Sequence, residues 1–190
     1  MKTEKTLFNG RLIQLVEQSF LLQGREVTYE LARRAPGVRL LIASQDKASI
    51  LLTREYRSEL NAYDYRLPGG KVFDTLKEYS AARNNDASIE AAAATKAVGE
   101  GAEEAGLAIS EVSLYRTSVC GSTIEWDLYF YEVIAFEDTG VQALEAGEDI
   151  TVNWFPVAFA FQMALSGQMR DERSAAVFMQ WLYAKGVRPW

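Results

Sequence analysis

A chain of 190 residues, 48% of them hydrophobic and 24% charged, has the composition of one globular domain that buries about 70% of its unfolded surface. A net charge of −6 speaks against a nucleic-acid backbone as partner. The lack of a long apolar run speaks against a membrane, and Met1 to Lys5 lead into no secretory core, so the expectation is one cytoplasmic domain over residues 1–190. Histidine is absent and Cys120 is the single cysteine, which excludes internal disulfides, multi-cysteine zinc sites, His-ligated metals and Ser-His or Cys-His catalysis. Acid-base work then falls to carboxylates, Lys, Tyr or metal-bound water, and an all-oxygen ligand set points to Mg²⁺ or Mn²⁺.

In chain order, Leu12 to Val16 and Glu26 to Leu31 read as strands around a turn at Gln23-Gly24, the second alternating polar with apolar residues. Pro36-Gly37 breaks the chain. Val38 to Ala43 follows as a more buried strand, with Ser49 to Arg57 as its expected hairpin partner. Asp74 to Arg83 can form a short helix, and Asn84-Asn85-Asp86 is a breaker able to cap the next one. From Ala91 the Ala-rich run favours helix, and Gly106 suits the left-handed residue that ends it. Ser113 to Cys120 and Trp126 to Ala135 read as strands around Gly121-Ser122. After the acidic loop Glu145 to Asp149 come a last strand, Ile150 to Phe155, and helices over Val157 to Leu165 and Glu172 to Lys185, the last ended by Gly186.

The organising stretch runs from Leu67 to Leu107. On a helix, Glu100, Glu103 and Glu104 stand at i, i+3 and i+4, so three carboxylates share one face while Ala94, Ala97, Val98 and Ala105 take another. Like charges at that spacing repel by a few tenths of a kcal/mol per pair, and a bound cation removes the repulsion; a solvated acidic helix end is the plainer alternative. Gly99 and Gly101 flank Glu100 at about 1 kcal/mol each relative to alanine, which marks either a close approach, a functional site or drift. Lys96 stands one turn before Glu100, as a partner of the glutamates or as a plain surface pair.

Pro68-Gly69-Gly70 at the start and Glu100, Glu103, Glu104, Gly106 and Leu107 at the end resemble the Nudix box of the Nudix hydrolases: Gly, five residues, Glu, seven residues, Arg-Glu, an aliphatic, any residue, Glu-Glu, any residue, Gly, aliphatic. Gly99 stands where the family has Arg and Gly101 where it has the aliphatic. Gly70 and Glu100 are thirty positions apart where the pattern has fifteen, so about fifteen extra residues, within 73–88, interrupt the box as a surface excursion or as a lid or interface element. Glu90 is the nearest counterpart of the first Glu. Arg54-Glu55-Tyr56-Arg57 followed by Tyr65 to Gly70 resembles the ADP-ribose and nucleoside-diphosphate-sugar pyrophosphatase branch, which usually has Glu where Arg66 stands. The absence of proline between Leu107 and Pro156 points away from ADP-ribose itself, since relatives specific for it tend to carry one there.

The resemblance implies an α/β (α+β) Nudix-type α/β/α sandwich with a mixed sheet. It implies Mg²⁺ or Mn²⁺ on Glu100, Glu104, Glu103 and the Gly69 carbonyl, and a late-loop general base, with Glu148 first choice and Glu145 the reserve. Arg57, Arg66 and Lys71 become candidate substrate contacts, with Arg54 adding positive charge nearby. It further implies a small-molecule nucleoside diphosphate substrate and a homodimer through N-terminal strands within 10–34. The function expected is metal-dependent hydrolysis of the diphosphate of a nucleoside diphosphate sugar or similar compound. The alternatives are a catalytically degenerate domain that binds a nucleotide as sensor or scaffold, and removal of noncanonical nucleoside triphosphates. Trp126, Tyr129, Phe130 and Tyr131 are expected in the core more than on a base, and Cys120 as a small buried hydrophobe.

Overall fold

A computed structural model describes residues 2–83 and 86–188. Its elements are β1 (Thr3–Asn9), β2 (Ile13–Leu22), β3 (Arg25–Arg34), β4 (Gly37–Leu41), β5 (Ser49–Arg57), β6 (Ala62–Arg66), α1 (Leu76–Ala82), α2 (Asp86–Glu103), β7 (Leu107–Ser118), β8 (Ile124–Glu125), β9 (Leu128–Asp138), β10 (Ile150–Pro156), α3 (Val157–Leu165) and α4 (Glu172–Ala184). The mixed α/β class and the layered sandwich expected from the sequence are both present.

The layering follows from period-2 alternation in the central strands. Val38, Leu40 and Ile42 of β4 and its continuation, with Leu51 of β5 and Tyr131 and Val133 of β9, pack toward Ala93, Ala97 and Ala105 of α2 and its end. The intervening Leu41, Ile50, Leu52, Leu128 and Phe130 pack toward Ala160, Phe161, Phe178 and Trp181 of α3 and α4. Strands buried on both faces read as near-continuous apolar runs, as β4 and the start of β5 do.

The strands form three ladders, β1-β2-β3-β8, β10-β5-β6 and β4-β9-β7, of which the first and third mix parallel and antiparallel pairs. The expected β4–β5 hairpin is corrected. The two strands meet only near Ala43–Ile50, where Leu51 N donates to Ile42 O at 3.0 Å. β4 instead runs parallel to β9, and its open side takes the glycine loop: Val38 N donates to Gly70 O and Leu40 N to Pro68 O, each at 2.9 Å. This pairing puts Pro68-Gly69-Gly70 beside the end of α2.

Within the extra segment, Leu76–Ala82 forms the helix α1. Thr75 and Glu78 form a reciprocal capping box at the start of α1. Leu76, Tyr79 and Ile89 then bury a small core of their own against Ala35. Asp86 opens α2, while Asn84 and Asn85 of the expected cap lie outside the described residues. Cys120, expected in the core, is only half-buried past the end of β7. Among the described residues no helix is long and apolar enough to cross a membrane.

Candidate active site

A cavity of about 260 Å³ opens where the glycine loop, the end of α2 and the 139–149 loop converge. Glu100, Glu103, Glu104, Glu145, Glu148, Gly69, Arg57, Arg66 and Lys71 all line it, so the expected ligands, bases and substrate contacts are brought to one place. A larger apolar cavity of about 530 Å³, between β9 and α4, holds none of them.

Helix α2 aims its carboxylates unequally. Glu100 and Glu104 are 6% and 9% exposed, whereas the Glu103 side chain is 38% exposed. Gly70 makes room for the first: a Cβ built there would lie 2.0 Å from Glu100 Oε1. Glu104 Oε2 accepts from Gly69 N at 2.8 Å, and the φ of 146° at Gly69 is open to glycine alone. Burial, aided by the charges of Glu100 and Glu55 and opposed by the Gly69 N–H and Arg39, pushes the Glu104 carboxyl up to about 8. Burial also raises Glu100, against the pull of Lys96.

Lys96 reaches both glutamates on its face, its Nζ 3.1 Å from Glu100 Oε1 and 3.1 Å from Glu103 Oε2. Burial works against its charge, but the two carboxylates outweigh that and hold its pKa above the ordinary lysine value. A lysine one turn upstream thus braces the carboxylates from which Gly99 has no side chain to reach.

The two helix glycines have different causes. At Gly101 a Cβ would fall 2.2 Å from Ile109 Cδ1, so close packing of α2 on β7 requires glycine there. At Gly99 the nearest atom to a built Cβ is Glu103 Oε1 at 3.8 Å, an ordinary contact. Gly99→Ala is therefore expected to stabilise the fold by about 0.5–1 kcal/mol. Gly101→Ala is expected to destabilise it by about 1–3 kcal/mol through overpacking; urea denaturation of the two variants checks the opposite signs.

The acidic loop is pinned to the helix end. Ala143 N donates to Glu103 O at 2.9 Å, Gln142 Nε2 to Glu104 O at 2.5 Å and Thr139 Oγ1 to Gly106 O at 2.6 Å, satisfying carbonyls that the helix leaves unpaired. Of its three acids, Asp149 is turned away to the Tyr63 hydroxyl, while Glu145 and Glu148 face the cavity. Glu148 Oε2 accepts from Glu145 N at 2.8 Å.

The basic wall comes from the strands. Arg57 is ion-paired with Glu55 at 2.7 Å and Glu59 at 2.8 Å, and Lys71 stands 3.8 Å from Asp74. Arg66 reaches Asp64 at 3.2 Å and Asp171 at 3.4 Å. Arg54, expected near the site, instead lies 3.7 Å over the Tyr63 ring and does not line the cavity. Trp126 lines it, with the Arg34 guanidinium 4.3 Å above its ring, while Phe130 and Tyr131 are core as expected. Arg34, Arg39 and Glu55 also line the cavity and were missed. The Arg33-Arg34 pair and the Arg-Glu-Tyr-Arg segment were the visible signals for two of them; nothing in the sequence singled out Arg39.

The donor set suits a hard divalent cation: three carboxylates and a glycine carbonyl, with no nitrogen or sulfur ligand. As placed, no three Asp, Glu or Cys side chains among the described residues are gathered tightly enough to hold an ion. Glu100 and Glu103 close on Lys96, and Glu104 closes on Gly69 N. The fit rests on two observations: the cradle at Gly70, and two buried carboxylates whose charge burial disfavours and a cation restores.

No protein-family model matches the chain. In an alignment 183 positions long that covers 86% of this chain and 88% of the relative, it is 27% identical to a GDP-mannose pyrophosphatase of Enterobacter sp. (strain 638). A solved structure of an ADP compounds hydrolase superposes with a TM-score of 0.68 over 97% of this chain and 94% of that one, at 15% identity. The chain shares the fold of that structure.

Proposed function

We propose that the protein is a Nudix-type pyrophosphatase that hydrolyses the diphosphate linkage of a nucleoside diphosphate sugar or a related compound. The observation that carries this reading is the convergence of Glu100, Glu103 and Glu104 with the Gly69-Gly70 loop and Glu148 on one polar cavity. The names of the two similar proteins, one acting on GDP-mannose and one on ADP compounds, support the substrate class.

Glu100, Glu103, Glu104 and the Gly69 carbonyl would hold Mg²⁺ or Mn²⁺. Bound there, such an ion neutralises diphosphate charge and lowers the pKa of water. Lys96 keeps Glu100 and Glu103 oriented, taking the part that the family gives to the Arg replaced by Gly99. Arg57, Arg66 and Lys71 draw the anionic substrate into an otherwise acidic cavity. Glu148 takes the proton of the attacking water, with Glu145 as the reserve for that role; Glu148→Gln should slow turnover about a hundredfold while leaving Mn²⁺ binding intact.

The test is phosphate release, after coupled phosphatase treatment, from a panel of nucleotide sugars, ADP-ribose, dinucleotides and nucleoside triphosphates with Mg²⁺, Mn²⁺ or chelator. Metal-dependent turnover of diphosphate-linked compounds is expected. Silence across the panel with nucleotide binding retained would favour the degenerate binding domain. Pyrophosphate release from triphosphates would favour the housecleaning reaction instead.

A cytoplasmic homodimer is part of the same reading. Its support is the β1-β2-β3 ladder and the turn before β2, where Leu7, Phe8, Leu12, Ile13, Leu21 and Leu22 are all 41% or more exposed. Large apolar side chains left exposed along a sheet are surface that a second copy covers. Sedimentation equilibrium should return twice the 21.3 kDa chain mass, and a monomer would remove the dimer.

A further inference from the structure

Arg39 is an arginine at a core position. The alternation that sends Val38 and Leu40 toward α2 sends Arg39 to the α4 side of β4, where it is 8% exposed and lines the cavity wall. Its Nη1 donates to Val38 O at 2.7 Å, and its Nη2 stands 3.8 Å from Asp171 Oδ2, beyond hydrogen-bond reach. Among the described residues its buried Nε has no partner. A buried donor left unpaired is costly and calls for an explanation.

Asp171 does not fully serve it. As the N-cap of α4, Asp171 accepts from Ser174 N at 3.2 Å and Ser174 Oγ at 2.7 Å, and its Oδ2 also takes Arg66 Nη2 at 3.4 Å. Asp171 is thus shared by two guanidiniums while it caps α4, and Arg66 has Asp64 at 3.2 Å and Glu55 at 3.6 Å besides. Burial disfavours the Arg39 charge and the neighbouring Arg66 adds repulsion, while Asp171, Glu104 and Glu55 oppose them. Among the described residues no carboxylate stands within hydrogen-bond distance of Arg39, Asp171 at 3.8 Å being the nearest.

We propose that Arg39 and Arg66 form an anion subsite that takes a phosphoryl group of the diphosphate substrate. The inference rests on reading the cavity as a diphosphate site. It adds a specificity-determining residue that the box does not contain. Two planar donor forks side by side suit the several oxygens of a phosphoryl group better than a single carboxylate. A purely structural Arg39 would be expected to close on Asp171 at hydrogen-bond distance.

The test uses the full chain with inorganic pyrophosphate as probe, in chelator, by isothermal titration calorimetry. The parent should bind, Arg39→Met should bind about tenfold or more weakly, and Arg39→Lys should fall between them, keeping the charge but losing the fork. With a substrate from the turnover panel, Arg39→Met should raise KM more than it lowers kcat. Independently of how the variants fold, the Arg39 Nε–H resonance of the parent should move on adding pyrophosphate. Parent-like binding by Arg39→Met, or a resonance that stays in place, overturns the subsite while leaving the hydrolase reading intact. Loss of turnover across the panel with these pyrophosphate responses retained would overturn the hydrolase and leave the subsite standing.

Discussion

Replacing Glu104 by Gln is expected to abolish metal-dependent turnover and, in chelator-treated protein, to increase stability. The two effects share one cause. Glu104 is 9% exposed and accepts from Gly69 N, but Lys96 is held by Glu100 and Glu103, so its charge is left to burial. A carboxylate kept there without an ion partner is poised for a cation. The amide keeps the shape and the acceptor for Gly69 N but forfeits the charge. Turnover should fall at least about a hundredfold, roughly 3 kcal/mol of transition-state stabilisation. The chelated variant should gain about 1–3 kcal/mol at pH 8, because an uncompensated buried charge is removed. Coupled phosphate release and thermal denaturation with and without Mn²⁺ check both signs. Parent-like turnover would take Glu104 out of the ligand set.

The pH dependence follows with a definite sign. With the folded-state value at about 8 against 4.5 for the unfolded chain, the native carboxyl keeps a proton that the unfolded one has released throughout that window. The native state binds more protons there, so the metal-free protein loses stability as pH rises from about 4.5 to 8, at most about 1.4 kcal/mol per pH unit. Below 4.5 both states are protonated and the dependence ends. Mn²⁺ should stabilise most at the alkaline end, since it binds the deprotonated carboxylates. In Glu104→Gln the slope should flatten, which denaturation midpoints at pH 5.5 and pH 8 will read.

What the sequence made visible depended on whether its signal was local. Helix α3 was read residue for residue and α4 to within one residue, because an apolar stripe and flanking turns are local facts. Strand β1 was missed: all its residues are exposed, so no buried face imprints a period on Thr3–Asn9. Strand β6 was read only as the run into the glycine loop. The β4–β5 hairpin was the natural inference from adjacency, yet β4 pairs with β9 some ninety residues on, a choice that no local pattern encodes. The same division holds in the site. Glu100, Glu103 and Glu104 were legible through helical spacing, and Gly101 was legible as a violated propensity, though its reason, Ile109, was not. Arg39, Asp171 and Gln142 acquire their roles only when α4, β4 and the 139–149 loop meet.

The second large effect is expected at Gly70, where Gly70→Ala should remove the activity and spare the fold. The new methyl would fall 2.0 Å from Glu100 Oε1 and 2.8 Å from its Cδ, so the carboxylate must leave its place. It can do so cheaply, because the crowded atoms are the end of a side chain and Gly70 is not among the positive-φ residues. The Val38 N to Gly70 O bond is untouched by the change. Stability should therefore shift by less than about 1 kcal/mol, while Mn²⁺ stabilisation disappears and turnover drops about a hundredfold. One residue earlier the balance reverses. At Gly69 a Cβ would lie 2.2 Å from the Val38 carbonyl oxygen and the φ of 146° excludes a side chain, so Gly69→Ala strikes backbone on backbone and should cost several kcal/mol of stability, about 3 or more. Neighbouring substitutions of the same size thus separate the place of Glu100 in the chemistry from the place of the loop in the fold. If Gly70→Ala keeps both Mn²⁺ stabilisation and turnover, the displaced Glu100 is not a ligand, and Glu103 and Glu104 hold the ion without it.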